Sequence, residues 1–144
     1  MTTPTSTSTT IAAAPEVVWR LLTDTDWWNR ADNGVVDVAG TIREGQQVKL
    51  VSELDPKRGF KLKVAEVDQP RSMTWTGGMP LGLFTGRRTF RIEPDGPGRC
   101  SFTMAEDFTG PLAPLIIRSL PDFQGSFDQF AAALKADGEA ARDD

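Results

Sequence analysis

Two stretches of alternating apolar and polar residues stand out in the second half of the chain. They read RRTFRIEP and RCSFTMAEDF, and the turn sequence DGPG separates them. A period of two is typical of strands that bury one face, so the stretches are predicted to pair as a hairpin. Arg88 and Glu106 are the charged residues at otherwise apolar inward positions. If Phe90 lies opposite Met104, the same register brings this cation and this carboxylate together.

The first quarter of the chain predicts a strand and two short helices. Thr5–Ala12 is rich in β-branched residues and favours a strand, with a frayed tail as the alternative. Pro15 is predicted to begin a helix that ends near Thr23. Asp26 is predicted to cap a second short helix, which ends before the Asn33–Gly34 break.

From Val35 onward the period changes to two, and short turn sequences separate the apolar stretches. No connection in this region is long enough for a crossover helix, so the strands are predicted to be antiparallel. Together with the first strand and the hairpin described above, the count is about seven. The additional strands are predicted at Val35–Ile42, Gln47–Leu54, Phe60–Val64 and Met73–Trp75.

Helical spacing returns after the last predicted strand. Pro111 is predicted to begin a helix whose apolar face includes Ile116 and Leu120. Pro121 should kink or break that helix, because its ring clashes with the carbonyl one turn earlier.

A second apolar stripe follows at intervals of four, three and four residues. Phe123, Phe127, Phe130 and Leu134 form this stripe and are predicted to bury against the sheet. Residues 137–144 are predicted to be a mobile acidic tail.

Length and charge narrow the possible classes of protein. The 144 residues are predicted to form one domain, residues 1–144, with a net charge of −4. Basic residues are spread along strands, so nucleic acid is not an expected partner. No apolar stretch approaches the roughly 18 residues of a membrane helix, and no integral membrane segment is expected. The Thr-rich start lacks the pattern of a signal peptide, so a cytoplasmic location is expected.

The residue types also restrict the chemistry. The chain has no His, which excludes Ser-His and Cys-His nucleophiles and His-containing zinc sites. Cys100 is in phase with Phe102, so it is predicted to be a small core residue. The aspartates between residues 24 and 37 match no calcium-binding loop, and the glycines form no phosphate loop. No metal and no cofactor are therefore expected.

Three segments carry a family resemblance: IAAAPEVVWRLLTDTDWW from Ile11, PRSMTWTGGMPLGLFTGRRTFRIEP from Pro70 and EDFTGPLAPLI from Glu106. They resemble the SRPBCC or START-like superfamily, in particular its polyketide cyclase/dehydrase and lipid transport branch. The resemblance implies the α+β helix-grip fold. In that fold a curved antiparallel sheet of about seven strands wraps around a long C-terminal helix, and two short helices lie between strands 1 and 2.

The resemblance also implies a deep apolar cavity between the sheet and the last helix. Different members use this cavity to bind lipids, steroids, polyketides or plant hormones, so a small apolar molecule of lipid, polyketide or aromatic type is the expected partner. Arg88 and Glu106 are candidates for a polar anchor inside the cavity, and Trp27 and Trp28 are candidates for its mouth. The other candidate ligand-binding residues are Trp75, Phe84, Phe90, Phe102, Met104, Ile116, Leu120, Phe123 and Phe127.

Several alternatives remain open from the sequence. Arg88 and Glu106 could form a purely structural ion pair, or a bulge could turn Arg88 outward. The apolar loop that includes Phe84 could be a gate to the cavity or the contact surface of a homodimer. The chain could also be a cyclase, dehydratase or isomerase with Glu106 as general base, or a protein-interaction module. No catalytic residue is otherwise assigned.

Overall fold

The computed structural model describes residues 5–118 and 122–141, which form seven strands and four α-helices. A single 3-10 turn, Pro80–Gly82, joins the fifth and sixth strands. In chain order the elements are β1 (Thr5–Ile11), α1 (Pro15–Leu22), α2 (Thr25–Arg30), β2 (Val35–Gly40), β3 (Gln47–Ser52), β4 (Gly59–Asp68), β5 (Ser72–Met79), β6 (Phe84–Pro94), β7 (Cys100–Thr109), α3 (Ala113–Ile117) and α4 (Gln124–Ala141).

The seven strands form one curled antiparallel sheet in the order β1-β7-β6-β5-β4-β3-β2. Helix α4 lies against this sheet, and its buried stripe includes Phe127, Phe130 and Leu134. The predicted hairpin register is confirmed, since Phe90 pairs with Met104. This arrangement is the helix-grip fold that the sequence predicts.

Side chains cover hydrogen-bonding groups at both edges of the sheet. At the β1 edge, the Gln124 side chain in α4 donates to the Ser6 carbonyl at 2.9 Å. At the β2 edge, the Asn29 side chain accepts from the Val38 N–H at 2.7 Å and donates to the Val38 carbonyl at 2.9 Å. An uncovered edge strand is a template for pairing with another chain, so these bonds oppose edge-to-edge pairing.

An aromatic cluster fills one end of the space between sheet and helices. Trp28 stacks on Trp75 with ring centroids 4.9 Å apart, and Phe90 and Phe130 pack around them at 4.7 to 6.5 Å. Trp27 meets Phe130 edge to face at 5.4 Å. All five side chains are almost completely buried. Aromatic residues bury large apolar areas, so this cluster is the solid part of the core.

Several predicted boundaries near the helices are wrong. Asp24, not Asp26, caps α2, because the Asp24 carboxylate accepts from the Asp26 N–H at 2.9 Å. Helix α3 begins at Ala113, two residues after Pro111. Leu120 and the predicted kink at Pro121 lie outside the described residues.

The two strands after α2 are shorter than predicted. β2 ends at Gly40 instead of Ile42, because the chain then turns and the Gln46 N–H bonds to the Arg43 carbonyl at 3.0 Å. β3 ends at Ser52 instead of Leu54, because the Ser52 hydroxyl accepts from the Leu54 N–H at 3.2 Å in a local turn.

The last helix is longer than predicted. Residues 137–141 continue α4 to Ala141 instead of starting a mobile tail. Gly138 is buried in this extension, and a Cβ there would lie 3.3 Å from Ile11 and 3.5 Å from Val18. The absence of a side chain lets α4 approach β1 and α1 closely, so this glycine belongs to the helix packing and does not end the helix.

Cys100 is completely buried, as predicted for a core residue. Burial, with smaller effects from Glu16 and Asp95, raises the pKa of its thiol to about 11. The thiol therefore stays neutral in the native protein at pH 8.

We expect iodoacetamide to leave native Cys100 unmodified at pH 8 and to alkylate it fully in guanidinium chloride, as measured by intact mass. The raised pKa also predicts that the contribution of Cys100 to stability is full below pH 8.5 and is lost as pH rises through about 11. Rapid alkylation of the folded protein would contradict this burial.

Candidate ligand-binding cavity

A cavity of about 550 Å³ lies beside the aromatic cluster, between the sheet and helices α3 and α4. This volume falls within the range of about 300 to 1,000 Å³ that small-molecule sites occupy. Its walls are mainly apolar. The lining residues include Gly77, Phe84, Gly86, Arg88, Met104, Glu106, Phe108, Ile116, Phe123, Ser126 and Phe127.

Two facing inward positions of the sheet beside the cavity carry no side chain. A Cβ on Gly77 would clash with the Lys61 carbonyl oxygen and lie 2.8 Å from Leu62 Cδ2, so this glycine lets β4 approach closely. Gly77 in β5 pairs directly with Gly86 in β6. Two residues further along each strand, the inward positions are Trp75 and Arg88, which also pair with each other. Because inward positions recur every second residue, the interior changes from large side chains to open space within one step along the strands.

Phe108 partly covers this glycine pair. It lies opposite Gly86 in the register of β6 and β7, and a Cβ on Gly86 would be 3.3 Å from the Phe108 ring. The same ring stacks on Phe84 with centroids 5.5 Å apart and an angle of 14° between the planes. Both rings line the cavity and are half-buried, so they form an aromatic part of its wall.

Arg88 and Glu106 form the charged pair inside this cavity. They are opposite each other in β6 and β7, and Arg88 Nη2 donates to Glu106 Oε1 at 3.0 Å. The two side chains are only 13% and 11% exposed. The guanidinium also lies over the ring of Phe127, 5.0 Å from its centroid. The alternative of a bulge that turns Arg88 outward is therefore wrong.

The polar atoms of this region are not all satisfied. Arg88 Nε and Trp75 Nε1 are buried and have no hydrogen-bond partner among the residues that the structure describes. Both atoms are N–H donors, and neither makes a hydrogen bond to Glu106, which accepts from Nη2 of the same guanidinium.

The structure places most of the candidate ligand-binding residues around the cavity. The residues that line it are Arg88, Glu106, Phe84, Met104, Ile116, Phe123 and Phe127. Leu120 lies outside the described residues. Binding by these side chains remains a prediction.

Three candidates do not line the cavity, namely Trp75, Phe90 and Phe102. They occupy inward positions on the far side of the ion pair and are fully buried in the solid core. Trp27 and Trp28 are also fully buried and do not form a mouth. The sequence shows that these residues face inward, but alternation cannot show how the interior is divided between core and cavity.

Sequence reasoning missed several lining residues, including Gly77, Gly86, Phe108 and Ser126. The glycine pair had a signal in the sequence. Gly77 is two residues after Trp75 and Gly86 is two residues before Arg88, so both are in phase with the inward face. Their direct pairing shows where side chains are missing from the interior.

Large apolar side chains are exposed next to the cavity. Leu81 is 96% exposed at the tip of the β5–β6 connection and has a φ of +61°. Leu115 in α3 is 67% exposed, and Met79 and Leu83 are also exposed. The Leu112 N–H bonds to the Leu83 carbonyl at 3.0 Å, which joins the two segments. We call Met79, Leu81, Leu83 and Leu115 the apolar rim.

The described part of the chain has neither a membrane-spanning helix nor a cluster of metal ligands. None of its helices combines the length and the apolar character that crossing a membrane requires. Its His, Cys, Asp and Glu residues form no group of three or more that could hold a metal ion.

Comparisons with known proteins agree with this fold. Residues 2–139 match the sequence model of a family described as polyketide cyclase/dehydrase and lipid transport. No curated protein sequence matches the chain significantly.

Many solved structures share the fold. A START superfamily protein from Mycobacterium smegmatis is 15% identical, with a TM-score of 0.71 over 95% of this chain and 97% of that one. The Aha1 dimer from Colwellia psychrerythraea is 16% identical, with a TM-score of 0.71 over 98% and 99%. Norcoclaurine synthase from Thalictrum flavum, in complex with dopamine and hydroxybenzaldehyde, is 15% identical, with a TM-score of 0.63 over 93% and 84%. At these identities the likeness establishes the fold alone.

Replacing Arg88 with Met should destabilise the protein by about 3 kcal/mol, because it leaves the Glu106 carboxylate buried without its cation. The double variant Arg88→Met/Glu106→Gln should recover at least half of that loss, since no charge is left unpaired. Urea unfolding of the three proteins measures both effects. A double variant less stable than Arg88→Met would contradict a closely coupled pair.

Proposed function

We propose, because the chain belongs to the polyketide cyclase/dehydrase and lipid transport family, that it binds a small apolar molecule in the cavity. The observation that carries this proposal is an apolar space of about 550 Å³ that contains one buried ion pair. Such a site binds by removing ligand surface from water, at about 25 cal/mol per Å² before the costs of association. A lipid, polyketide or aromatic compound has the required apolar surface.

Arg88 and Glu106 would determine how the ligand is oriented. The pair is held in position by its own hydrogen bond and by the contact of the guanidinium with Phe127. A fixed polar group in an apolar site favours the ligand orientation that brings a polar atom to it. The ligand would therefore place its polar end at the pair and its apolar end along Phe84, Phe108 and Phe123.

The second candidate function is enzymatic, with Glu106 as a general base for a cyclisation, dehydration or isomerisation. Glu106 is the one carboxylate among the described lining residues, and Oε1 already accepts from Arg88. The chain has no His or Tyr that could act as its partner in proton transfer. Binding requires fewer chemical groups than catalysis, so we rank it first.

The apolar rim favours an additional role in contact with another molecule. Isolated exposed leucines are common, but four exposed apolar residues on two joined segments beside a cavity are not. We propose that the rim is the entrance of the cavity and that two copies of the chain associate through it at high concentration.

The cavity proposal predicts a loss of binding when the cavity is filled. Ser126 and Ala132 are both in α4; Ser126 lines the cavity, whereas Ala132 is exposed. We expect Ser126→Phe to weaken binding of the neutral dye N-phenyl-1-naphthylamine at least tenfold. Ala132→Phe, which adds a ring to the outer face of the same helix, should bind as the wild type does. Fluorescence titration measures the three dissociation constants, and circular dichroism verifies folding.

Equal dye affinity in Ser126→Phe and wild type would contradict binding in this cavity, and so would the absence of saturable binding to the wild type. Native mass spectrometry of the purified protein tests the same proposal without a chosen probe. A co-purified apolar molecule of defined mass should be present in the wild type and depleted in Ser126→Phe.

The rim proposal predicts that Leu81→Ser/Leu115→Ser shifts the protein toward monomer in sedimentation velocity at high concentration. Each substitution removes an exposed apolar side chain, and neither residue is buried in the core. Val36→Ser is the control, because Val36 is 48% exposed but lies in β2, which β3 and β4 separate from β5 in the sheet. A wild type that is monomeric at all concentrations would contradict self-association through the rim.

A further inference from the structure

The β5–β6 connection presents a large apolar side chain to solvent. Leu81 at its tip is 96% exposed, and Leu115 in the adjoining α3 is 67% exposed. Leu81 also has a φ of +61°, in the left-handed region that leucine rarely adopts. Backbone strain of this kind persists only where the surrounding structure imposes it, and it clusters at functional sites. The connection is therefore held in a conformation that directs apolar surface outward.

The segments that carry the apolar rim contain no acidic residue. The chain has 20 Asp and Glu against 16 Lys and Arg, yet none of the 20 lies in residues 69–92 or 108–118, which include all four rim residues. The carboxylates that flank the second range are Asp107, which lies opposite Arg87 in the sheet, and Asp122, which accepts from a backbone N–H at 3.0 Å. The rim thus lacks the groups that an anionic partner would repel, although the whole chain is acidic.

Cations without an acidic partner lie next to the rim. Arg118, at the C-cap of α3, is three residues after Leu115, so the two are neighbours on the helix surface. Lys61 in β4 lies against the base of the β5–β6 connection, since a Cβ on Gly77 would clash with the Lys61 carbonyl oxygen. Lys49 is directly opposite Lys61 in the register of β3 and β4. Within residues 5–118 and 122–141, none of these three cations forms an ion pair.

The two lysines face outward and repel each other. Val48 and Leu50 are buried, so Lys49 between them lies on the outer face of the sheet, and directly opposite residues share a face. Both lysines are exposed. Like charges at directly opposite positions destabilise a sheet. An anionic surface placed against them would remove this repulsion.

We propose that the apolar rim docks the protein on a lipid bilayer that contains anionic phospholipid. Leu81 and Leu115 enter the boundary between headgroups and acyl chains, and Arg118, Lys61 and Lys49 face the headgroup phosphates. Exposed leucines flanked by cations are the combination that interfacial membrane binding uses. A net charge of −4 by itself predicts repulsion from such a bilayer, so the inference rests on the local arrangement of charges. Docking goes beyond the proposed function, because it does not require a ligand in the cavity.

A bilayer fits the charges of this surface better than a second copy of the chain does. Docking and self-association exclude each other, because both cover Leu81 and Leu115. In a two-fold symmetric dimer the same surface meets itself, so Arg118 and Lys61 of one copy would approach those of the other. This repulsion restricts self-association to high concentration and leaves the rim free at low concentration.

Sedimentation with sucrose-loaded vesicles at low protein concentration tests the docking. Vesicles of phosphatidylcholine alone are compared with vesicles that also contain phosphatidylglycerol. We expect the wild type to bind the anionic vesicles about tenfold more strongly, as two or three cations near the surface allow. Leu81→Ser/Leu115→Ser should bind both kinds of vesicle at least about tenfold more weakly than the wild type does, because it removes the inserted apolar surface.

Two charge variants separate local charge from net charge. Lys61→Gln/Arg118→Gln should lose about tenfold in affinity for the anionic vesicles and nothing for phosphatidylcholine. Arg43→Gln/Arg71→Gln is the matched control, because these exposed arginines lie in the β2–β3 and β4–β5 connections, at the other end of the antiparallel strands from the β5–β6 connection. Both variants remove two positive charges and change the net charge from −4 to −6. The control should bind as the wild type does, and circular dichroism verifies folding.

A fluorescent label locates the contact. Leu81→Cys offers one reactive thiol, because Cys100 is buried and its thiol stays neutral in the folded protein. After labelling with an iodoacetamide derivative of nitrobenzoxadiazole, the emission should shift to the blue on adding anionic vesicles. Val36→Cys, labelled in the same way, should show no shift, since Val36 lies in β2, away from the rim.

Equal binding to the two kinds of vesicle contradicts the docking, and so does an equal loss in the two charge variants. A blue shift of the Leu81 label with rising protein concentration, but not with vesicles, assigns the rim to a second copy and also contradicts it.

The cavity proposal is tested separately. Ser126→Phe, which fills the cavity, should dock as the wild type does. A protein that binds the dye in solution but binds no vesicle retains the proposed function and lacks the docking surface. A protein that binds anionic vesicles but not the dye retains the docking surface and lacks the proposed function.

Discussion

The register that pairs β5 with β6 and β6 with β7 is the constraint on which the interior depends. It places Gly77 opposite Gly86, Trp75 opposite Arg88 and Arg88 opposite Glu106. Because side chains alternate across a sheet, a shift of one residue would turn this whole set outward. The ion pair and the inward positions of Trp75, Gly77 and Gly86 are therefore consequences of one hydrogen-bonding pattern.

The ion pair lies at the boundary between two environments. On one side, Trp75 and Phe90 are fully buried, with their ring centroids 5.1 Å apart. On the other, Gly77, Gly86 and the rings of Phe84 and Phe108 line the open space of the cavity. Burying two charges costs less free energy when polar atoms can contact them. A cavity that admits water or a ligand oxygen can supply such atoms, whereas a closed apolar core cannot.

The sheet edges are covered by polar side chains, whereas the apolar rim is exposed. Asn29 and Gln124 cover edge groups of β2 and β1 with hydrogen bonds. The apolar rim, in contrast, exposes Leu81 almost completely. The hydrogen bonds at the edges oppose pairing with another strand, whereas the rim presents an apolar surface.

The sequence by itself determined the order of elements, the antiparallel sheet and the facing positions of Arg88 and Glu106. These follow from periods of two and of 3.6 residues and from turn residues, which are local properties of the chain. Helix and strand ends were less predictable, because Asp24, Ser52 and Gly138 act through particular hydrogen bonds or contacts. Only the tertiary structure decided that Trp75, Phe90 and Phe102 fill the core while Phe84, Phe108 and Phe123 line a cavity. Alternation shows which face is buried, but the curl of the sheet and the distance to α4 decide whether side chains meet or leave space between them.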